Sequence, residues 1–126
     1  MTTKCILLID DEEDIREVAQ LSLEMEAGWD VLTANSGSEG IAKAKTQQPD
    51  AILLDVMMPD MDGFTTFQHL QADLVSRSIP VILLTAKVQP ADQRKFQAIG
   101  VAGWITKPFD PISLAHQVAD TLGWQL

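Results

Sequence analysis

Two adjacent aspartates, Asp10 and Asp11, close the apolar run Cys5-Ile-Leu-Leu-Ile9, and a third, Asp55, closes a second run, Ala51-Ile-Leu-Leu54. Thr85 ends a third run, Val81-Ile-Leu-Leu84, while Lys107 follows Gly103-Trp-Ile-Thr106 and precedes Pro108. Three carboxylates in one pocket repel one another by roughly 4 kcal/mol per pair at about 4 Å and an effective dielectric near 20. Such a pocket requires positive charge. A hard divalent cation with oxygen ligands meets the requirement, and Mg²⁺ takes one or two carboxylates, keeps waters and adds phosphate oxygens. Lys107 adds a point charge. A carboxylate beside Mg²⁺, an ammonium and a hydroxyl is the equipment for accepting a phosphoryl group as an aspartyl phosphate, because that transfer depends on positioning and charge neutralisation.

These residues can meet only if the runs before them are neighbouring strands pointing the same way. Cys5 to Ile9, Ala51 to Leu54 and Val81 to Leu84 are too short for helices and lack alternation, as expected of strands buried on both faces. Asp30 to Ala34 and Gly103 to Thr106 are more mixed and suit strands nearer the sheet edge. Helix-period segments separate them. Ile15, Val18, Ala19 and Leu23 form a stripe that Gly28 stops. Ser36-Gly-Ser-Glu39 has the capping-box pattern and opens a helix to about Gln47. Phe64, Phe67, Leu70 and Leu74 mark one face of a third helix, and Pro90 to Ile99 a fourth, stopped by Gly100. In the fifth, Asp110 is the expected cap with Pro111 in the first helical position; Ala115, Val118, Ala119 and Leu122 form the core stripe, and Gly123 ends it. Five βα repeats predict an α/β fold, a doubly wound parallel sheet with helices on both faces and right-handed crossovers. Ligands bind such sheets at the carboxyl ends of the strands, where Asp10, Asp11, Asp55, Thr85 and Lys107 would converge.

The bulk properties narrow the function further. The 126 residues suit one domain spanning 1–126, with enough apolar material for a closed core. A net charge of -9 opposes nucleic acid and anionic membranes and attracts cations. The lone cysteine, Cys5, reads as a buried strand thiol, in keeping with a reducing compartment. No signal-peptide architecture or membrane-length apolar run is seen, so a cytoplasmic location without membrane insertion is expected.

Ile9-Asp10-Asp11-Glu12, Leu53-Leu-Asp-Val-Met-Met-Pro59 with Asp62-Gly63, Leu84-Thr85-Ala86 and Lys107-Pro108-Phe109 together resemble the receiver domain of two-component response regulators, including the single-domain chemotaxis regulators, across essentially the whole chain. The resemblance implies a flavodoxin-like (βα)5 fold with strand order 2-1-3-4-5. It implies that Asp55 is the phosphoacceptor, receiving phosphate from a phosphohistidine on a histidine kinase or phosphotransfer protein, and that the phosphorylated domain signals to a downstream protein target. Asp11, Asp55 and the backbone carbonyl of Met57 would bind Mg²⁺ directly, with Asp10 acting through a water. Thr85 and the Ala86 amide would hold phosphoryl oxygens, Lys107 would pair with the phosphoryl group, and Pro108 would set the loop, through a cis bond. Trp104 falls at the aromatic switch position, where inward rotation accompanies movement of Thr85.

Some positions depart from the family pattern. Tyrosine or phenylalanine is commoner where Trp104 stands, and Gly100-Val101 replaces the usual Gly-Ala; both departures bear on the amplitude of the switch. Met57 and Lys87 flank the route of an attacking water; Met57 cannot orient one by hydrogen bonding, and slow self-dephosphorylation is expected. His69 and His116 read as ordinary helix-surface residues, Met58 as core and Trp29 as the anchor of the second strand. Trp124 is either a packing plug or part of a contact surface. Leu21 and Met25 either widen the buried face of the first helix or stay exposed to dock a helical partner.

The chain length favours a single-domain regulator or relay; a domain of a larger protein is the alternative. A haloacid-dehalogenase-like phosphohydrolase would need an aspartate where Met57 stands. A flavin or nucleotide site would need glycines and backbone amides where Asp10-Asp-Glu-Glu13 is acidic. A phosphoacceptor signalling domain, not an enzyme acting on metabolites, is the expectation.

Overall fold

The computed structural model describes residues 3–86 and 88–126. Strands β1 (Cys5–Ile9), β2 (Asp30–Ala34), β3 (Ala51–Asp55), β4 (Val81–Thr85) and β5 (Gly103–Thr106) alternate with helices α1 (Glu13–Ala27), α2 (Gly37–Gln47), α3 (Gly63–Ala72), α4 (Pro90–Ile99) and α5 (Leu114–Leu122). All strand pairs are parallel, in the order β2-β1-β3-β4-β5. This is the flavodoxin-like arrangement, and the two mixed-composition strands take its edges.

Alternating side chains of the central strands feed two cores. Ile6, Leu8, Leu53, Ile82 and Leu84 pack against Ala19 and Leu23 of α1 and Leu114, Ala115 and Val118 of α5. Leu7, Ile9, Ile52, Leu54 and Leu83 pack on the opposite face against Ala44 of α2, Phe67 and Leu70 of α3 and Phe96 of α4. The leucines of β1, β3 and β4 are fully buried, each worth roughly 1.5–3 kcal/mol. Their apolar runs are continuous because helices cover both faces.

Most helix ends lie where the sequence signals put them. Gly28 takes φ 69°, a left-handed value open to glycine, and its N–H reaches Glu24 O. The Ser36 hydroxyl accepts from Glu39 N–H at 3.2 Å, but the Glu39 carboxylate reaches back to Asn35 N–H rather than to that of Ser36.

Two ends differ. α3 stops before Asp73, whose carboxylate accepts from Val75 N–H while Ser76 Oγ donates to Leu70 O, so Leu74 leaves the helix and is 79% exposed. Asp110 does accept from a following amide, that of Ile112, but caps a turn over 111–113; α5 begins only at Leu114. Val18 is a third departure, 43% exposed although it lies in the periodic stripe of α1. Cys5, expected to be buried, is half-buried at the start of β1, where burial and the charges of Asp50 and Asp30 raise its thiol pKa.

Trp29 is buried and meets Trp124 edge to face at 5.5 Å, so Trp124 packs the chain after α5 onto the α1–β2 junction. No described helix is long and apolar enough to cross a membrane.

Candidate functional site

The strand register gathers the chemistry. Ile9 pairs with Leu54, Asp55 with Leu84, and Thr85 with Thr106, so each strand delivers its terminal polar residue to one edge. β1 and β3 are neighbours although α1, β2 and α2 lie between them in sequence. Asp10 and Asp55 therefore meet at the point where the sheet reverses its direction of growth.

Asp10 is fully buried. Its N–H donates to Ala34 O at 3.1 Å, Oδ1 accepts from Glu12 N–H at 2.9 Å, and Oδ2 lies 2.9 Å from Lys107 Nζ. Asp55 is 2% exposed; its Oδ1 accepts from Met57 N–H at 3.2 Å and lies 3.2 Å from Lys107 Nζ. Oδ2 of Asp55 is buried without a hydrogen-bond partner among the described residues. Burial, then the charge of Asp10, push the Asp55 pKa up to about 7, against the opposing pull of Lys107 and the Met57 amide. Burial pulls the Lys107 pKa down, but hydrogen bonds and charge from Asp10 and Asp55 outweigh it and leave the pKa raised.

Asp11 and Glu12 are exposed and form the mouth of the pocket, with one carboxylate oxygen each of Asp10, Asp11, Glu12 and Asp55 lying within 4.8 Å of one another. All-oxygen donors around an unpartnered buried carboxylate oxygen fit a hard cation such as Mg²⁺. Glu12 also lies 3.6 Å from Lys107 Nζ. Its carboxylate belongs to the cluster although the sequence reading gave it no role. Arg16 was likewise not singled out, and its Nη1 donates to Asp10 O at 2.8 Å. Its place one turn into α1, at the end of an acidic run, was the available signal.

Two close contacts hold the loops. Gly63 N–H donates to Val56 O at 2.9 Å, and a Cβ at Gly63 would lie 2.5 Å from Asp55 O and 2.8 Å from Val56 Cα. Only glycine lets α3 start this close to the strand end carrying Asp55. On the other side, Lys107 N–H donates to Thr85 O at 2.7 Å, and the Lys107–Pro108 bond is cis. Thr85 is buried at the end of β4, and Ala86 beside it is exposed.

Trp104 is half-buried, its ring 5.6 Å from Phe96, which lies 5.8 Å from Phe64; Lys95 Nζ caps Phe64 at 4.1 Å. An aromatic row thus runs from β5 through α4 to α3, and Val101 packs against the same core. Met57 is 75% exposed, Met58 is buried, and Lys87 lies outside the described residues. Leu21 and Met25 are 57% and 72% exposed, so the face of α1 is not widened into the core. His69 and His116 sit exposed on their helices.

The model of the response regulator receiver domain matches residues 6–119. The chain is 41% identical over 108 residues to the alkaline phosphatase synthesis transcriptional regulatory protein PhoP of Bacillus subtilis, covering 86% of this chain and 44% of that protein. It is 45% identical over 105 residues to the DNA-binding dual master transcriptional regulator RpaA of Synechocystis, covering 83% and 43%. The chain thus spans less than half the length of these two relatives. Among solved structures it is similar to chemotaxis protein CheY4 of Vibrio cholerae, with TM-score 0.87, 32% identity and 95% and 99% of the two chains covered. It is also similar to the receiver domain of sensor histidine kinase PA1611 from Pseudomonas aeruginosa, described with a magnesium ion coordinated in its active site cleft, with TM-score 0.84, 27% identity and 97% and 99% covered. With its match to the family spanning nearly all of the fold just described, the chain belongs to the response regulator receiver domains of two-component signalling systems.

Proposed function

We propose that Asp55 is a phosphoacceptor, taking a phosphoryl group from a phosphohistidine on a histidine kinase or phosphotransfer protein. The observation that carries this reading is Asp55 Oδ2, buried beside Lys107 in a ring of carboxylates and without a hydrogen-bond partner among the described residues. An Asp55 carboxylate oxygen attacks phosphorus as the P–N bond of the phosphoimidazole breaks. The bond's electron pair returns to the imidazole nitrogen, which takes up a proton, and Asp55 becomes a mixed anhydride. Asp11, Asp55 and the Met57 carbonyl would hold Mg²⁺, with Asp10 acting through a water. The ion would supply charge neutralisation for the transferring phosphoryl oxygens; the magnesium described for the PA1611 receiver domain supports this choice.

Lys107 serves as a second, fixed cation, and its length lets it follow charge from Asp55 to the new phosphoryl group. Thr85 and the Ala86 amide donate to that group. The backbone bond from Lys107 to Thr85 couples these two loops, so movement at Thr85 is felt in β5, where Trp104 contacts Phe96. Val18, Leu21, Met25 and Ile112, all exposed, offer an apolar face for the helical donor protein. The chain acts as one domain, through contact with a downstream protein rather than by binding nucleic acid itself.

The test is incubation with Mg²⁺ and acetyl phosphate, followed by intact mass spectrometry. One phosphoryl addition is expected, abolished by Asp55→Asn. Labelling that persists in the variant would sink the assignment.

A further inference from the structure

The three aspartates of the pocket are held unequally. Asp10 is fixed through Glu12 N–H and Lys107, and Asp55 through Met57 N–H and Lys107. Among the described residues no side-chain hydrogen bond or ion pair holds the carboxylate of Asp11, which is exposed yet lies within reach of the others. Oδ1 of Asp10 holds Glu12 N–H, and the peptide joining Asp10 to Asp11 is planar, so fixing the carbonyl oxygen of residue 10 as well holds the peptides on both sides of the Asp11 Cα and with them the root of its side chain. That carbonyl accepts a charge-assisted hydrogen bond from Arg16 Nη1 at 2.8 Å. The backbone of Arg16 is anchored too, its N–H donating to Glu12 O at 3.0 Å.

We infer that Arg16 is a positioning residue for the metal site: it clamps the Asp10–Asp11 peptide so that Asp11 faces the cation. The inference rests on the reading of the pocket as a Mg²⁺ site. Its sign separates it from simple electrostatics. A positive charge near a cation site weakens cation binding, so on charge alone removing Arg16 should tighten Mg²⁺. A clamp predicts the opposite, and loss of an orienting partner of a metal ligand typically weakens metal binding by roughly 10- to 100-fold.

The experiment is calorimetric titration of the unphosphorylated chain with MgCl₂, with thermal melts recorded in its absence. Arg16→Met, which keeps the aliphatic length but no donor, is expected to bind Mg²⁺ about tenfold more weakly. Arg16→Lys, which keeps a charged donor, should stay within about threefold of the parent. Labelling by acetyl phosphate should be slowed in Arg16→Met at low Mg²⁺ and restored when Mg²⁺ saturates. Unchanged or tighter Mg²⁺ binding by Arg16→Met would overturn the inference, as would an Arg16→Lys no better than it. Should Arg16→Met fail to fold, the lysine variant carries the test alone, and a loss of tenfold or more there overturns it. A parent chain that takes up no Mg²⁺ would overturn the metal reading beneath it.

Discussion

The ammonium of Lys107 lies 3.2 Å from Oδ1 of Asp55 and only 2.9 Å from Oδ2 of Asp10, so one half-buried cation is shared by two buried carboxylates. Lys107→Met would leave both carboxylates without a counter-charge among the described residues. At pH 7.5 without Mg²⁺ the variant should lose about 1–3 kcal/mol in urea unfolding, the cost of stranding a buried polar partner. At pH 5, where Asp55 can take up a proton instead, the loss should shrink. A loss that does not vary with pH would show that Lys107 stabilises by packing alone.

Asp55 itself should make the fold less stable as pH rises. Its folded-state pKa of about 7 stands above the ordinary carboxyl value of about 4, so the folded state holds the proton more tightly. The stability this contributes is complete below about pH 4 and is lost progressively as pH rises toward 7. Asp55→Asn removes the titration and should raise Tm at pH 7.5 by on the order of 5 °C, but by much less at pH 4.5. Differential scanning calorimetry without Mg²⁺ measures this, and equal gains at both values would count against the raised pKa.

Gly63→Ala tests how closely α3 must approach the end of β3. The new Cβ would meet backbone at 2.5 Å and 2.8 Å, and backbone cannot rotate away as a side chain can. A destabilisation of about 1–3 kcal/mol is expected, together with slower labelling of Asp55. Full stability in the variant would mean that the loop after β3 yields freely.

Met57 stands open at the mouth of the pocket, 75% exposed, with no group that could orient a water for attack on a phosphorylated Asp55. Met57→Asn supplies a carbonyl and an amide. Decay of the phosphorylated protein, followed by intact mass in Mg²⁺, should accelerate roughly tenfold, the effect of about 1.4 kcal/mol of added transition-state stabilisation. An unchanged lifetime would remove Met57 as a determinant of the hydrolysis rate.

Much of this was legible along the chain. Continuous apolar runs marked the strands because a doubly covered parallel sheet has no wet face. Polar residues ending those runs marked the pocket, because strand ends are where such a sheet meets solvent. Local signals failed where non-local contacts or side-chain bonds decided the outcome. The stripe through Leu74 continued on paper, yet the Asp73 and Ser76 side chains turn the chain out of α3. Val18 kept the helical period but faces past the core.

By itself the sequence determined the βα order, the two-sided core and the residues able to do chemistry, since composition and periodicity act over a few residues at a time. Tertiary structure alone decided that Lys107 is shared between Asp10 and Asp55, that Asp55 Oδ2 is buried without a partner among the described residues, and that Arg16 reaches the Asp10 carbonyl. Those relations depend on the register between strands distant in sequence and on burial, which together set distance and dielectric and so decide how strongly the charges act on one another.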